Sequence, residues 1–400
     1  MEAETAEASR WAAPQRILAV RLDAMGDVLM TTPALRAIRA ARPDAHLALL
    51  TSPAGAAIGE LIDELDETIP YEAPWLKRIP SNGIDAGRDR AFVDELASRR
   101  FDAAIIFTVH SQSPLPAALL CHLAGIPLRL AHCRENPYHL LTTWVPDPEA
   151  EVPTRHEVRR QLDLVATVGF RIADEHLSVR VPPDAARRMR ARLRVMGLAG
   201  DRWLVAHPGA EASSRRYRPA GYAAALRRLA LEDGWRIVLT GSADEVGLVE
   251  SVRAAVGPAA HSLAGELSIG ELTALVAMAP LLVSNNTGPM HLAAAVGTPV
   301  VVLYALTNLQ HTPWQVPARV LSHDVPCRGC RKSVCPLGHH DCLRLVDPDE
   351  IVDAVRDLIA EIDGRRLTVV EPIAPRRRFD GSKPTPRRRP AATSLTGIGT

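Results

Sequence analysis

The stretch RILAVRLDAMGDVLMTTPALRAIRAARPDAHLALLT, residues 16–51, reads as strand, turn, helix, strand. RILAVRL (16–22) and HLALLTS (46–52) are short apolar runs without polar alternation, the pattern of strands buried on both faces of a parallel sheet. Between them lie a glycine-containing turn and the helical stretch VLMTTPALRAIRAARP. Outward from this unit the rhythm continues through DAAIIFTV (102–109), PAALLCHLAG and HEVRRQLDLVATVG (156–169). It restarts in the second half with WLVAHPG, GYAAALRRLALEDG, WRIVLTGS, VGLVESVRAAVG, IGELTALVAMAP, LLVSNNTG, MHLAAAVG and PVVVLYA. Strands alternating with helices of about 10–15 residues imply α/β architecture with parallel sheets covered on both faces. The helix PDEIVDAVRDLIAEIDG (348–364) closes the pattern.

At 400 residues the chain exceeds what one core usually serves, so two domains are expected. The predicted divisions are a flexible leader over 1–14, a first Rossmann-like domain over 15–183, a second over 184–368 and a tail over 369–400. The proline-containing stretch near Val181–Asp184 serves as linker. The segment 53–100 lacks clear periodicity and reads as a long functional loop facing a cleft. The tail carries two RRR clusters among Pro and small polar residues, a composition that predicts disorder. Those clusters suit a solvated tail or contact with an anionic membrane surface.

Net charge is +1, with lysine only at Lys77, Lys332 and Lys383, so no global basic field points to nucleic acid. The acidic start MEAETAEASR has neither the basic nor the apolar region of a signal peptide, and no apolar run of about 18 residues spans a bilayer. Six cysteines, four of them clustered, do not form the framework of a secreted disulfide protein, and the cytoplasm is the expected address.

Ligands of parallel sheets bind beyond the carboxyl ends of strands. Four such turns carry chemistry. In Asp23-Ala24-Met25-Gly26-Asp27, Asp27 falls at a helix start, where it is either a cap or an ionised general base. In Ser284-Asn285-Asn286-Thr287-Gly288-Pro289-Met290-His291, a helix mouth offers an anion site suited to a diphosphate, with His291 as donor; the alternative is a capped helix with a core histidine. Gly209-Ala210 leads into Ser213-Ser214-Arg215-Arg216, a small-residue loop with two guanidinium groups for phosphate. Gly241 to Glu245 ends the next strand with a carboxylate able to accept from ribose hydroxyls. Neither a P-loop nor a G-x-G-x-x-G motif occurs, and Asp347 and Asp349 read as helix capping.

Cys327, Cys330, Cys335 and Cys342 fall in one loop (325–343) with spacing that can enclose a structural zinc or iron; His339 or His340 can replace one ligand. Disulfides or unengaged thiols are the alternatives, and Cys121 and Cys133 read as core residues.

Taken together, RILAVRLDAMGDVLMTTPALRAIRAARPDAHLALLT, HPGA with SSRRYRPAGYAAAL, GSADE and SNNTGPMHLAAAVGTPVVVLY resemble glycosyltransferase family 9, the ADP-heptose:lipopolysaccharide heptosyltransferase family. The resemblance runs from about Arg16 to Asp363. It implies a GT-B fold, two Rossmann-like domains facing across a cleft, with acceptor on the N-terminal side and donor on the C-terminal side. It also implies inversion at the anomeric centre without a catalytic metal. By position it makes Asp27 the base and Glu245 the ribose-binding acid, and it packs Leu267 on the nucleotide base. Thr287, Gly288 and His291 become the diphosphate loop. Arg215 stands where the family often has lysine, Tyr217 where it has tryptophan, and Asn286 where many members have aspartate. Some relatives carry a clustered-cysteine loop that binds iron. The expected donor is an ADP-sugar, with heptose leading, and the acceptor a glycan, glycolipid or protein, met in the cytoplasm or at the inner membrane surface. A nucleotide-sugar epimerase on the same architecture and a non-catalytic nucleotide-sugar-binding protein are the rival readings.

Overall fold

The computed structural model describes residues 9–76, 83–147, 155–198, 200 and 202–368. The first half forms β1 (Arg16–Arg21), α1 (Met25–Ala41), β2 (His46–Thr51), α2 (Pro53–Gly59), β3 (Glu67–Pro70), α3 (Ala86–Ser98), β4 (Ala103–Ile106), α4 (Leu115–Leu123), β5 (Leu128–Cys133), β6 (Thr143–Pro146) and α5 (Glu157–Ala166). The second forms α6 (Pro183–Val195), β7 (Trp203–His207), α7 (Pro219–Asp233), β8 (Arg236–Leu239), α8 (Val246–Val256), β9 (Ala260–Ser262), α9 (Ile269–Met278), β10 (Leu282–Asn285), α10 (Gly288–Val296), β11 (Val300–Leu303), β12 (Ala318–Leu321), α11 (Asp341–Arg344) and α12 (Pro348–Thr368). Among the described residues, no helix is long and apolar enough to cross a membrane.

Each half holds a six-stranded sheet, ordered β3-β2-β1-β4-β5-β6 and β12-β11-β10-β7-β8-β9. The pairings are parallel, with Arg16 opposite His46 and Arg21 opposite Thr51 in the first sheet. Both orders reverse direction at one place, between β1 and β4 and between β7 and β10. Crevices open at such switch points, beyond the carboxyl ends of the strands. The turns after β1, β7 and β10, singled out in the sequence, therefore sit at the two switch points. This is the expected GT-B arrangement, two Rossmann-like halves about a cleft.

Local chemistry explains α1 despite its internal proline. Pro33 lacks the N–H that would bond the Leu29 carbonyl. The Thr32 hydroxyl donates to that carbonyl instead, at 2.8 Å. Leu29, Leu35 and Ile38 are buried in an apolar cluster that also contains Val205, Leu282 and Leu292 of the second half, so one core runs through both sheets.

Three expectations change. Trp11 is fully buried, and its Nε1 donates to Thr143 Oγ1 at 3.0 Å, so the chain is anchored within the stretch expected to be a loose leader. The 53–100 segment is largely structured as α2, β3 and α3; its residues 77–82 lie outside the described set. The linker near Val181–Asp184 gives way at Pro183 to α6, proline suiting a helix's first turn. The predicted tail, 369–400, lies outside the described residues.

The halves touch where α1 and α10 begin. A Cβ on Gly26 would stand 2.7 Å from His291 Cδ2, and one on Gly288 would stand 2.3 Å from Met25 Cε. The first clash meets a packed ring; the second meets the end of a flexible chain. Gly26→Ala is expected to destabilise the protein by about 1–3 kcal/mol, as overpacking does. Gly288→Ala should cost less than half of that, because Met25 can swing aside. Urea unfolding of both variants checks this, and equal losses would contradict it.

Candidate active site

β1 ends in an arginine within an otherwise apolar strand, and the Arg21 side chain is completely buried. Guanidinium remains charged in proteins, so burial demands anionic partners. Three supply them: Asp23 Oδ2 at 3.0 Å, Asp27 Oδ1 at 3.0 Å and Glu157 Oε1 at 2.8 Å. Burial lowers the Arg21 pKa, but the three carboxylates more than offset it and hold it above the ordinary value. Glu157 comes from α5 and is itself fully buried, with the Gln161 amide donating to the same oxygen.

The alternative reading of Asp27 as a cap does not hold. Ala24 occupies the N-cap of α1, no side chain caps it, and the Asp27 carboxylate is turned onto Arg21. Burial pushes the Asp27 carboxyl upward, yet Arg21, His311, His291 and Arg215 together hold it below its usual value. Its side chain is 20% exposed, so this ionised group still opens to solvent. Asp23 behaves oppositely: burial, offset in part by Arg21 and augmented by the Asp27 charge, pushes it up to about 6. Arg21 lowers both carboxyls, and the additional groups around Asp27 set the two apart, the pattern by which acid and base roles are assigned.

Across from Asp27 a cleft of about 520 Å³ is lined by Met25, His207, Arg216, Glu245, Leu267 and Thr287, among others. Gly209 permits its closeness, since a Cβ there would meet the Glu245 carboxylate at 2.2 Å. Glu245 Oε2 accepts from Ser242 N at 2.9 Å in a capping box beside Gly241 and lies 3.8 Å from His207 Nε2. Ala210 is buried, and its carbonyl accepts from Arg216 at 2.7 Å. Thr287 precedes α10 without a side-chain capping bond, leaving the helix mouth to a ligand. His291, held down to about 3 by burial, is neutral, and its Nδ1 has no hydrogen-bond partner. Arg215 ends a 3-10 turn (Ser213–Arg215) and acts electrostatically on Asp27, His291 and His311. Asn286 turns elsewhere: its amide group pairs with Ala305, accepting from N at 3.2 Å and donating to O at 3.4 Å.

Ser213 and Ser214 face away from the cleft, toward the cysteine loop. Ser214 Oγ donates to Lys332 O at 2.7 Å and Ser213 Oγ to Ser333 O at 3.4 Å. Cys327, Cys330, Cys335 and Cys342 line a small cavity of about 20 Å³ with His339 and His340. Burial and then the other three thiols push the Cys342 thiol up. The metal centre expected there is not formed as placed: among the described residues, no three His, Cys, Asp or Glu side chains make a metal-holding group. Cys327 Sγ and His339 Nε2 stand 3.9 Å apart. Cys121 and Cys133 are buried core thiols, and Asp347 accepts from Asp349 N at 2.9 Å, a capping contact.

The sequence reading passed over Arg21, Glu157 and His311. Arg21 had a signal, a charge closing an apolar strand; Glu157 and His311 had none, because only tertiary packing brings them to Asp27.

Removing the shared cation isolates its contribution. Arg21→Met should cost about 3–5 kcal/mol at pH 7.5, as for any buried ion cluster stripped of one partner. Without Arg21 the folded-state carboxyls rise above their unfolded values, so the deficit should shrink as pH falls through those raised values toward 5. Denaturant unfolding at both pH values checks this; a deficit that stays constant would contradict it.

Comparison with known proteins places these features. The family model described as glycosyltransferase family 9 (heptosyltransferase) matches residues 90–340. Lipopolysaccharide heptosyltransferase 2 of Salmonella typhimurium is 25% identical over 360 residues, covering 86% of this chain and 99% of that protein. Among solved structures, the glycosyl transferase family 9 from Veillonella parvula superposes with a TM-score of 0.72 at 21% identity, over 87% of this chain and 98% of that one. E. coli ADP-heptose lps heptosyltransferase II superposes with 0.68 at 23% identity, over 87% and 99%. The family model covers more than half of the sequence, and the chain belongs to glycosyltransferase family 9, the heptosyltransferase family.

Proposed function

We propose that this enzyme transfers heptose from ADP-heptose to a lipopolysaccharide core or related cell-envelope glycan, in one inverting displacement that needs no metal. The observation that carries the reading is Asp27, ionised by Arg21 yet 20% exposed, beside the cations and helix mouth of the other half. The acceptor hydroxyl approaches from the half formed by residues 15–183, and the donor lies against 184–368. Asp27 accepts the hydroxyl proton as the oxygen bonds to the anomeric carbon and the bond to ADP breaks. Charge gathers on the departing diphosphate, where Arg215, the N–H groups at Thr287–Gly288 and neutral His291 stabilise it. Glu245 receives the ribose and Leu267 packs against the base, while Asn286, its amide fixed on Ala305, takes no direct part. The similarity to lipopolysaccharide heptosyltransferase 2 and to ADP-heptose lps heptosyltransferase II supports heptose, ADP and lipopolysaccharide. A nucleotide-sugar donor places the reaction in the cytoplasm, at the inner face of the membrane that carries the acceptor.

The cysteine loop is given a structural part. Its thiols are the soft donor set that zinc or iron takes, and Gly329 N and Arg331 N donate to the Leu306 and Thr307 carbonyls at 2.6 and 2.8 Å. An ion held there would brace the Ser213–Arg215 turn and take no part in transfer.

Asp27→Asn should lower kcat by about 10²–10⁴-fold and leave the Kd for ADP within about twofold. ADP release with ADP-heptose and a heptose-deficient core acceptor measures the first and calorimetry the second; near-normal turnover would overturn the base assignment. Elemental analysis should find about one zinc or iron per chain, lost together with thermal stability in a Cys327→Ser/Cys330→Ser variant. Metal-free purified protein of undiminished stability would overturn the structural site.

A further inference from the structure

The segment between β11 and β12 does more than connect two strands. Residues 308–314 cross to the first half and are bonded there along their length. Glu157 N donates to Gln310 O at 3.0 Å, Gln310 Nε2 to Arg155 O at 3.1 Å, and Trp314 Nε1 to Glu175 O at 2.7 Å. His156 lies 2.9 Å from Thr312 O and stacks on Trp314 at 4.4 Å between ring centroids. This strap carries His311 into the space between the halves, 91% buried.

There it faces an anomaly. Glu157 is fully buried; its Oε1 serves Arg21 and Gln161, but its Oε2 has no hydrogen-bond partner. A carboxylate oxygen left so in the interior is costly. His311 Nε2 lies 3.9 Å from that oxygen. In the structure that nitrogen lies 3.2 Å from Asn308 Nδ2, while Asn308 Oδ1 is engaged by Gln310 N at 2.9 Å. The Asn308 amide therefore donates to Nε2, and the ring is neutral.

We propose that His311 is a positioning residue that becomes protonated when the donor's diphosphate binds and then donates to Glu157 Oε2, fixing the Glu157–Arg21–Asp27 chain for catalysis. The groups that face the ring account for the switch. Burial disfavours the imidazolium, Asp27 and Glu157 favour it, and Arg215 and Arg21 oppose it. His291 packs edge-on at 6.3 Å, and His156 lies on the neighbouring strap contact. A diphosphate seated between Arg215 and His291 neutralises the Arg215 opposition, and the balance passes to the carboxylates. With Oε2 satisfied, Glu157 keeps Oε1 on Arg21, and Arg21 keeps Asp27 ionised at the acceptor. His311 thus acts through Glu157 and Arg21 and never touches the sugar.

The inference rests on the donor seat assigned above, and ADP binding separates the two. Calorimetry of ADP binding at pH 6.5, in buffers of differing ionisation enthalpy, counts protons taken up. Wild-type protein should take up roughly half a proton or more per ADP beyond the His311→Gln variant, since an imidazole near its ordinary pKa titrates in this range. Glu157→Gln should lose the same increment, because the anion that holds the imidazolium is gone. ADP affinity should stay within about threefold in His311→Gln, whereas kcat should fall roughly tenfold, the size of a lost hydrogen bond to a charged group. Equal proton uptake in wild type and His311→Gln would overturn the proposal while leaving the donor site standing. A wild-type protein that fails to bind ADP would instead overturn the donor site. Thermal unfolding without ADP, unchanged in His311→Gln, excludes simple loss of fold.

Discussion

One buried guanidinium serves three carboxylates, and the rest of the site is arranged around that shortage of positive charge. Arg21 cannot release its proton, so each carboxylate competes for it. Asp27, which also feels Arg215 and two histidines, stays ionised; Asp23, with less help, rises to about 6. A general base must be charged and reachable at once. Asp27 meets both conditions, because its countercharge Arg21 is buried at the end of β1 while its own side chain keeps 20% of its surface exposed.

The second constraint is closeness between the halves. Asp27 sits in the first turn of α1, and Thr287 and Gly288 open α10. Glycines at 26 and 288 let those two helix starts meet, the His291 ring seated on Gly26 and the Met25 side chain on Gly288. The strap at 308–314 holds the same junction from the far side and adds His311 and the Glu157 backbone bond to it. Asp27 and the start of α10 are thereby positioned by one set of packing interactions.

Much of this was legible before any coordinates. Buried parallel strands need long apolar runs, so β1, β2, β4, β7, β8, β10 and β11 announce themselves, and with them the turns that bear Asp27, Gly209, Glu245 and Thr287. The strands β3, β6, β9 and β12 are short and lie toward sheet edges, where partial exposure admits polar residues and erases the pattern. β5 is hidden for another reason: Arg129 and His132 interrupt its apolar run, although Arg129 is satisfied by the Leu140 and His139 carbonyls at 2.7 and 2.9 Å. Asp27 illustrates the limit most sharply. Its spacing suits both a cap and a base, and only the position of Arg21 separates the two. Glu157 and His311 are 130 and 284 residues from Asp27 in the chain, and no local pattern ties them to it.

The most direct test follows the two neighbouring carboxyls themselves. Carbon-13 NMR of protein labelled at aspartate carboxyls, with Asp23→Asn and Asp27→Asn variants for assignment, gives each titration separately. The expected result is an Asp27 that titrates below the ordinary aspartate value of about 3.9 and an Asp23 that titrates near 6. An Asp27 that titrates at or above 6, with Asp23 low, would mean that Arg21 does not hold it as the ionised base.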